Sequence, residues 1–349
     1  MKKRICVVTS YIPFVYGGNE VLAENLSKKL REFGFESTVA YIPQNPFGKQ
    51  ISAYLSARFT DLHFGGYDNE IDQIISLKFP AYAVRHKNHV CWLSHRMREY
   101  YDLWDDFYSH LPSASYRIKE KIRRFAIQRL DDHFLKNGMK KVCAISENSS
   151  MRLRRWGEIE AEVVYPPPRD MGYRDGPYEK FILSISRLTK YKRHNIFIDA
   201  FNFIKDKSIK GYIIGEGEER RELEKQIEKA DLKDRVFLLG YISNEALEKY
   251  YSHSLGVFFG PYDEDLGFVT LESMKFRRPV ITCTDSGGPL EFVKDRETGF
   301  VVSPDPGEIA DRIEYLLSNE GLAESMGKSA FERIKDITWE RVIEKLVII

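Results

Sequence analysis

Pro261-Tyr-Asp-Glu-Asp-Leu-Gly-Phe-Val-Thr-Leu-Glu272 is the stretch of this 349-residue chain from which the fold can be read outward. It follows the apolar run Leu255–Phe259, a β-strand by its pattern, and opens into a helix near Gly267. At such a helix start the backbone N–H groups of Leu266, Gly267, Phe268 and Val269 have no partner within the helix. With the helix dipole they form a site for an anion. Gly267 carries no side chain to hold a bulky ligand off the backbone. Glu264 lies in the loop and Glu272 about one turn into the helix. A carboxylate accepts two parallel hydrogen bonds, so each suits a vicinal diol on a sugar or a ribose. Glu264 and Asp265 can also be read as simple helix caps, which explains them but not the rest of the pattern.

Upstream, Ser184-Ile-Ser-Arg187-Leu-Thr-Lys-Tyr-Lys192 leaves the end of another strand. Arg187 can fork onto two oxygens of a diphosphate and Lys192 can add a point charge. Gly215-Glu-Gly217 ends the next strand, but Arg220 stands where a dinucleotide fingerprint needs its third glycine, so a nicotinamide site is not expected. Ser286-Gly287-Gly288-Pro289 follows a further strand and would let backbone line the same edge. Asp263 and Asp265 could form an Asp-x-Asp metal pair. Two cations and a helix N-terminus already suffice for a diphosphate, and no metal is expected.

These loops punctuate a regular series. Strands are expected at 180–186, 211–214, 236–239, 255–259, 279–283 and 299–302, with helices at 192–206, 218–231, 243–253, 268–276 and 307–317. Strands alternating with helices give a parallel sheet covered on both faces, with ligands at the C-terminal ends of the strands. Tyr165-Pro-Pro-Pro-Arg-Asp-Met-Gly forbids helix and marks an interdomain linker. The domains are expected at 1–165 and 166–336, with a final helix at 337–349.

The first half carries a second βα series: strands at 4–10, 37–42, 89–94 and 141–145, and helices at 20–33 and 115–135. Residues 45–85 show no clear pattern. Met1-Lys-Lys-Arg-Ile-Cys-Val-Val reads as the first strand rather than a secretion signal, because its apolar run is short. Tyr16-Gly17-Gly18-Asn19-Glu20 joins that strand to its helix, and Gly17 and Gly18 permit close backbone approach to a ligand. The alternative is a plain tight turn. His95 follows the strand ending in Leu93 and Ser94 and is as easily structural as functional.

Four dispersed cysteines without metal spacing read as buried thiols in a reducing, cytoplasmic setting. Net charge is +1, divided as +6 over residues 1–165 and −5 over the remainder. That imbalance hints at an anionic partner for the first half but falls short of a nucleic-acid footprint. Within Tyr116–Arg129, Arg117, Lys119, Lys121, Arg123, Arg124 and Arg129 outnumber the single acid Glu120, and Ile118, Ile122 and Phe125 share one helical face. That face is expected either to pack on the sheet or to lie peripherally on an anionic membrane.

Taken together, these residues resemble family 4 of the retaining glycosyltransferases. The resemblance covers nearly the whole chain and implies the GT-B fold: two Rossmann-like, doubly wound α/β domains facing a cleft, with the C-terminal helix crossing back to the first. It implies a nucleoside-diphosphate sugar (GDP- or UDP-linked) as donor, a saccharide or lipid-linked saccharide as acceptor, no cofactor and no metal. Arg187 and Lys192 would grip the diphosphate, Glu272 the ribose and Glu264 the transferred sugar. Gly17 and Gly18 would approach the donor phosphates and His95 the donor sugar. An epimerase or phosphorylase on the same fold, or an inactive nucleotide-sugar-binding protein, would share this grip. The chain departs from the family pattern at Arg278-Pro279, read as unusual surface chemistry.

Overall fold

Cys6, Val7 and Val8 show why the strands form where they do: an apolar run whose residues are all buried needs cover on both faces, which parallel βα units supply. A computed structural model describes residues 2–13, 17–44, 48–62, 70–173 and 176–349. It divides into one unit of residues 1–166 with 338–349 and a second of 167–337. The break falls inside the proline run, one residue beyond the expected end of the first domain.

The first unit holds β1 (Arg4–Tyr11), β2 (Glu36–Pro43), β3 (Gln73–Ser76), β4 (His89–Leu93), β5 (Lys141–Ala144) and β6 (Glu162–Val163). They form a parallel sheet in the order β2-β1-β3-β4-β5-β6. Its helices are α1 (Gly18–Glu32), α2 (Gln50–Phe59), α3 (Trp104–Ser109), α4 (Ala114–Asn137) and α5 (Glu147–Gly157). The region without a sequence pattern thus holds α2 and the central strand β3; residues 45–47 and 63–69 lie outside the described part.

The second unit is more regular: β7 (Glu179–Ile185), β8 (Lys210–Ile214), β9 (Val236–Gly240), β10 (Ser254–Phe258), β11 (Val280–Cys283) and β12 (Gly299–Val302), in the order β12-β11-β10-β7-β8-β9. They alternate with α6 (His194–Phe203), α7 (Arg220–Lys229), α8 (Asn244–His253), α9 (Phe268–Lys275), α10 (Pro306–Ser318) and α11 (Leu322–Ile334). The last of these was not expected. Phe197, Phe201, Phe258 and Phe300 fill the core on one side of the sheet.

The chain ends on α12 (Trp339–Leu346), part of the first unit. Buried Gln73 of β3 donates to Leu346 O at 2.7 Å and accepts from Ile348 N at 2.9 Å. A polar side chain inside a central strand is thereby satisfied by the chain end it holds.

Two expectations fail on packing. Arg278 is no surface residue: it is 1% exposed, donates to Gly176 O and Ser252 O, and stacks on Tyr178 with its guanidinium carbon 3.7 Å from the ring centre. The face of α4 carrying Ile118, Ile122 and Phe125 does not pack on the sheet. Glu120, Ile127, Asp131, Phe134 and Leu135 are buried instead. Asp131 sits at the centre of that side, where the hydroxyls of Tyr54, Tyr82 and Tyr101 all donate to it. Burial raises its pKa, against the lowering pull of Arg96 and the three hydroxyls. All four cysteines are buried and free, and burial pushes the Cys91 and Cys283 thiols up to about 12. No helix among the described residues is long and apolar enough to cross a membrane.

Candidate functional site

Strand order in the second unit locates its site. From β7 the chain winds outward through β8 and β9, then returns to place β10 on the other side of β7. Adjacent strands whose connections leave in opposite directions open a crevice at their C-terminal ends. The loops leaving β7 and β10 are those bearing Arg187 and Lys192, and Glu264.

Three loops are bonded together there. Tyr262 N donates to Tyr191 O at 2.8 Å, Asp263 N to Asp285 O and Glu264 N to Ser286 O, both at 2.8 Å. Arg193 forks onto Asp285 with two contacts of 2.7 Å. Below them His194 is clasped by Ser184 and Ser186 at 3.0 and 2.7 Å, and burial pushes its pKa down to about 3. The imidazole is therefore a neutral strut under the loop that bears Arg187.

Within this frame Lys192 Nζ donates to Glu264 Oε2 at 2.6 Å. Arg187 is exposed, and its guanidinium has no hydrogen-bond or ion-pair partner among the described residues. The helix cap of α9 is Gly267, so neither Glu264 nor Asp265 is the capping residue. Among the described residues, the amides of Leu266, Gly267, Phe268 and Val269 find no backbone acceptor. Two cations and a helix start whose amides have no backbone acceptor suit a diphosphate.

The glycines have a different reason from the one expected. A Cβ on Gly215 would stand 1.8 Å from Ser186 O, and one on Gly217 2.3 Å from Leu188 O. Gly267 has φ 82°, and its Cβ would meet Phe259 at 2.7 Å. These positions are glycine because neighbouring chain segments press against them.

Glu272 is 1% exposed and already engaged. Arg169 Nε lies 2.5 Å from Oε1, Arg169 NH2 3.0 Å from Oε2, and Tyr251 OH donates to Oε2 at 2.8 Å. A diol would have to share the carboxylate with Arg169 or displace it. Arg169 was not singled out in the sequence; its one signal is a lone cation directly after the proline run.

In the first unit the reversal lies between β1 and β3. Gly17 N donates to Glu20 Oε2 at 3.0 Å, Asn19 Oδ1 accepts from Ser94 Oγ at 2.7 Å, and Lys78 reaches Glu20 at 3.6 Å. The start of α1 is thus tied to residues just after β3 and β4. Tyr16 lies outside the described residues. A Cβ on Gly17 would find only an ordinary 3.5 Å contact with Glu20. Gly18 opens α1 and is exposed. His95 is half-buried, with Nδ1 2.7 Å from Arg96 O. That carbonyl makes Nδ1 the donor and leaves Nε2 an acceptor in the neutral ring. Lys78 went unnoticed because it falls in the patternless region.

Residues 175–333 match the family model described as glycosyl transferases, group 1. The matched stretch lies within the second unit. Over 230 residues the chain is 27% identical to the poly(ribitol-phosphate) alpha-N-acetylglucosaminyltransferase of Staphylococcus aureus, covering 63% of this chain and 46% of that enzyme. The chain thus spans less than half the length of that relative. Sucrose-phosphate synthase from Thermosynechococcus elongatus superposes with a TM-score of 0.78 at 18% identity, covering 99% of this chain and 97% of that one. Anabaena HepE in complex with UDP and glucose gives 0.70 at 17% identity, covering 97% of each. The fold is GT-B. Arg187, Lys192, Glu264 and Glu272 belong to the second unit, where Lys192 is bonded to Glu264, while Gly17, Gly18 and His95 belong to the first.

Proposed function

We propose that the chain transfers a sugar from a nucleoside-diphosphate sugar to a saccharide acceptor, with retention of anomeric configuration and without a metal ion. One observation carries this reading: the loop bearing Arg187 and Lys192 is bonded to the loop that leads into α9, whose first amides have no backbone acceptor, where β7 and β10 diverge. The group 1 match and a fold shared with a protein described in complex with UDP and glucose support it.

The nucleoside diphosphate is the leaving group. Negative charge grows on its β-phosphate as the sugar becomes oxocarbenium-like, and preorganised cations and N–H dipoles aimed at that phosphate stabilise the change. Arg187 supplies the fork. Lys192 is shared between the diphosphate and Glu264, so donor binding exchanges a carboxylate partner for a phosphate one. Glu264, once released, accepts from hydroxyls of the transferred sugar, and Glu272, steadied by Arg169 and Tyr251, takes the ribose. Gly17 and Gly18 approach the donor phosphates and His95 the donor sugar, as the family resemblance assigns. A lipid-linked saccharide as acceptor and a cytoplasmic setting belong to the same reading.

Thermal shift with UDP and GDP finds the base, because a ligand that binds only the folded state raises Tm. Turnover of the matching nucleotide sugar should then fall about 10²–10³-fold in Arg187→Ala and in Lys192→Ala, and should persist in excess EDTA. Near-normal turnover in both variants sinks the assignment. Loss in EDTA restored by Mg²⁺ gives Asp263 and Asp265 a metal instead. Binding without turnover makes the chain a nucleotide-sugar-binding protein.

A further inference from the structure

We propose that the first half of α4 is a docking surface for an anionic lipid membrane. This concerns where the molecule works rather than how it holds a donor, and it rests on α4 alone.

The helix has 24 residues, about 36 Å at 1.5 Å per residue. Its C-terminal half is anchored through Ile127, Asp131, Phe134 and Leu135. Its beginning is not: residues 112–119 are exposed without interruption, so the first turns are bare on every side. Along the side turned away from the core, Ile118, Ile122 and Phe125 are 62%, 67% and 62% exposed. Spacings of four and three place them in one line. Single exposed apolar residues are common on soluble proteins; a continuous line of three large ones on one helix is not.

Charge decides what covers the line. Arg117, Lys119, Lys121 and Arg129 are exposed beside it. Glu120, the one acid between residues 114 and 130, is buried on the opposite side, where Tyr100 OH donates to it at 2.9 Å and Arg123 pairs with it. Arg124 is likewise taken by the body: Nε donates to Tyr100 O at 2.9 Å, and the guanidinium lies 4.4 Å from the Trp104 ring centre. What α4 itself turns outward, among the described residues, is therefore an apolar ridge bordered by cations, with the acids Asp105 and Asp106 on neighbouring α3. An anionic bilayer matches it, taking the apolar groups at the acyl boundary and the cations at the phosphates. A second copy of the same face would set cation against cation.

The test is co-sedimentation, without nucleotide sugar, on vesicles of phosphatidylcholine alone and of phosphatidylcholine with phosphatidylglycerol. The protein is expected on the anionic vesicles only, released at about 0.5 M salt. Each surface cation counts for about fivefold in partitioning. Lys119→Glu with Lys121→Glu should therefore lower binding at least about tenfold, and Ile118→Ser with Ile122→Ser and Phe125→Ser should abolish it. Circular dichroism should show both variants folded, because none of these side chains is buried. Phe203→Ser, which removes a ring 60% exposed on the second unit, should change nothing. Equal binding to both vesicle types, no binding in low salt, or unchanged binding in both multiple variants overturns the proposal. A dimer in sedimentation velocity that Ile122→Ser dissolves also overturns it and assigns the face to a second copy.

Discussion

Gly17 and Gly215 both lie between a strand and the helix that follows it, yet the described residues constrain them differently. At Gly215 the fold leaves no room: φ is 140° and a Cβ would fall 1.8 Å from Ser186 O. At Gly17 the backbone is extended, with φ −150°, and the nearest atom to a Cβ is an ordinary neighbour. The fold explains the glycine at 215, whereas at 17 the described residues place no such demand.

The sharpest way to break this contrast is to add a methyl group at each place. Gly215→Ala should lose several kcal/mol of stability, since both the positive φ and the carbonyl contact must be relieved. Gly17→Ala should melt at the wild-type temperature and lose turnover. Equal melting temperatures for the two variants would remove the distinction.

A smaller effect probes the ion pair that holds Glu272. Arg169→Ala leaves a carboxylate 1% exposed without its cation. The expected cost is about 2–3 kcal/mol, below the roughly 3–5 kcal/mol of a fully buried pair because a third of Arg169 is in solvent. Glu272→Gln in the Arg169→Ala background should recover part of it in chemical denaturation. If the single Arg169→Ala variant is as stable as wild type, the pair is not structural.

The smallest effect concerns the strut under the Arg187 loop. His194 and His89 are both pushed down to about 3 by burial, from an ordinary 6.5. Between those values the unfolded chain binds protons that the folded one refuses. Their stabilisation is therefore complete above pH 6.5 and is lost as pH falls toward 3, by at most about 1.4 kcal/mol per pH unit for each histidine. His194→Gln should flatten that decline without moving the neutral-pH melting point by more than a few degrees. An unchanged slope would mean that His194 is protonated in the fold.

Particular residues show what the sequence could and could not disclose. The second unit was readable almost strand by strand, because continuous apolar runs such as Val280–Cys283 sit between loops rich in glycine and charge. β3 was not: it is four residues long, and Gln73 looks out of place in a core strand until its bonds to Leu346 and Ile348 are seen. On α4 periodicity revealed an apolar face but not which side would be buried. The core chose Asp131, because three tyrosines from elsewhere in the chain satisfy it. Arg187, Lys192, Glu264 and Glu272 were legible as residue types at strand ends. That Lys192 holds Glu264, and that Arg169 holds Glu272, depends on partners 72 and 103 residues away.

The mutual bonding of the three loops in the second unit has a bearing on how such proteins diversify. Gly288 gives way to Leu266, and the amides of residues 262 to 264 answer to carbonyls in the two flanking loops. No one of these segments can change its path without unseating the other two. Grafting a single loop from a relative would import a shape with nowhere to rest, whereas all three exchanged together would bring their own complementary surfaces. They form one inheritable cassette, and donor preference should travel with it as a block.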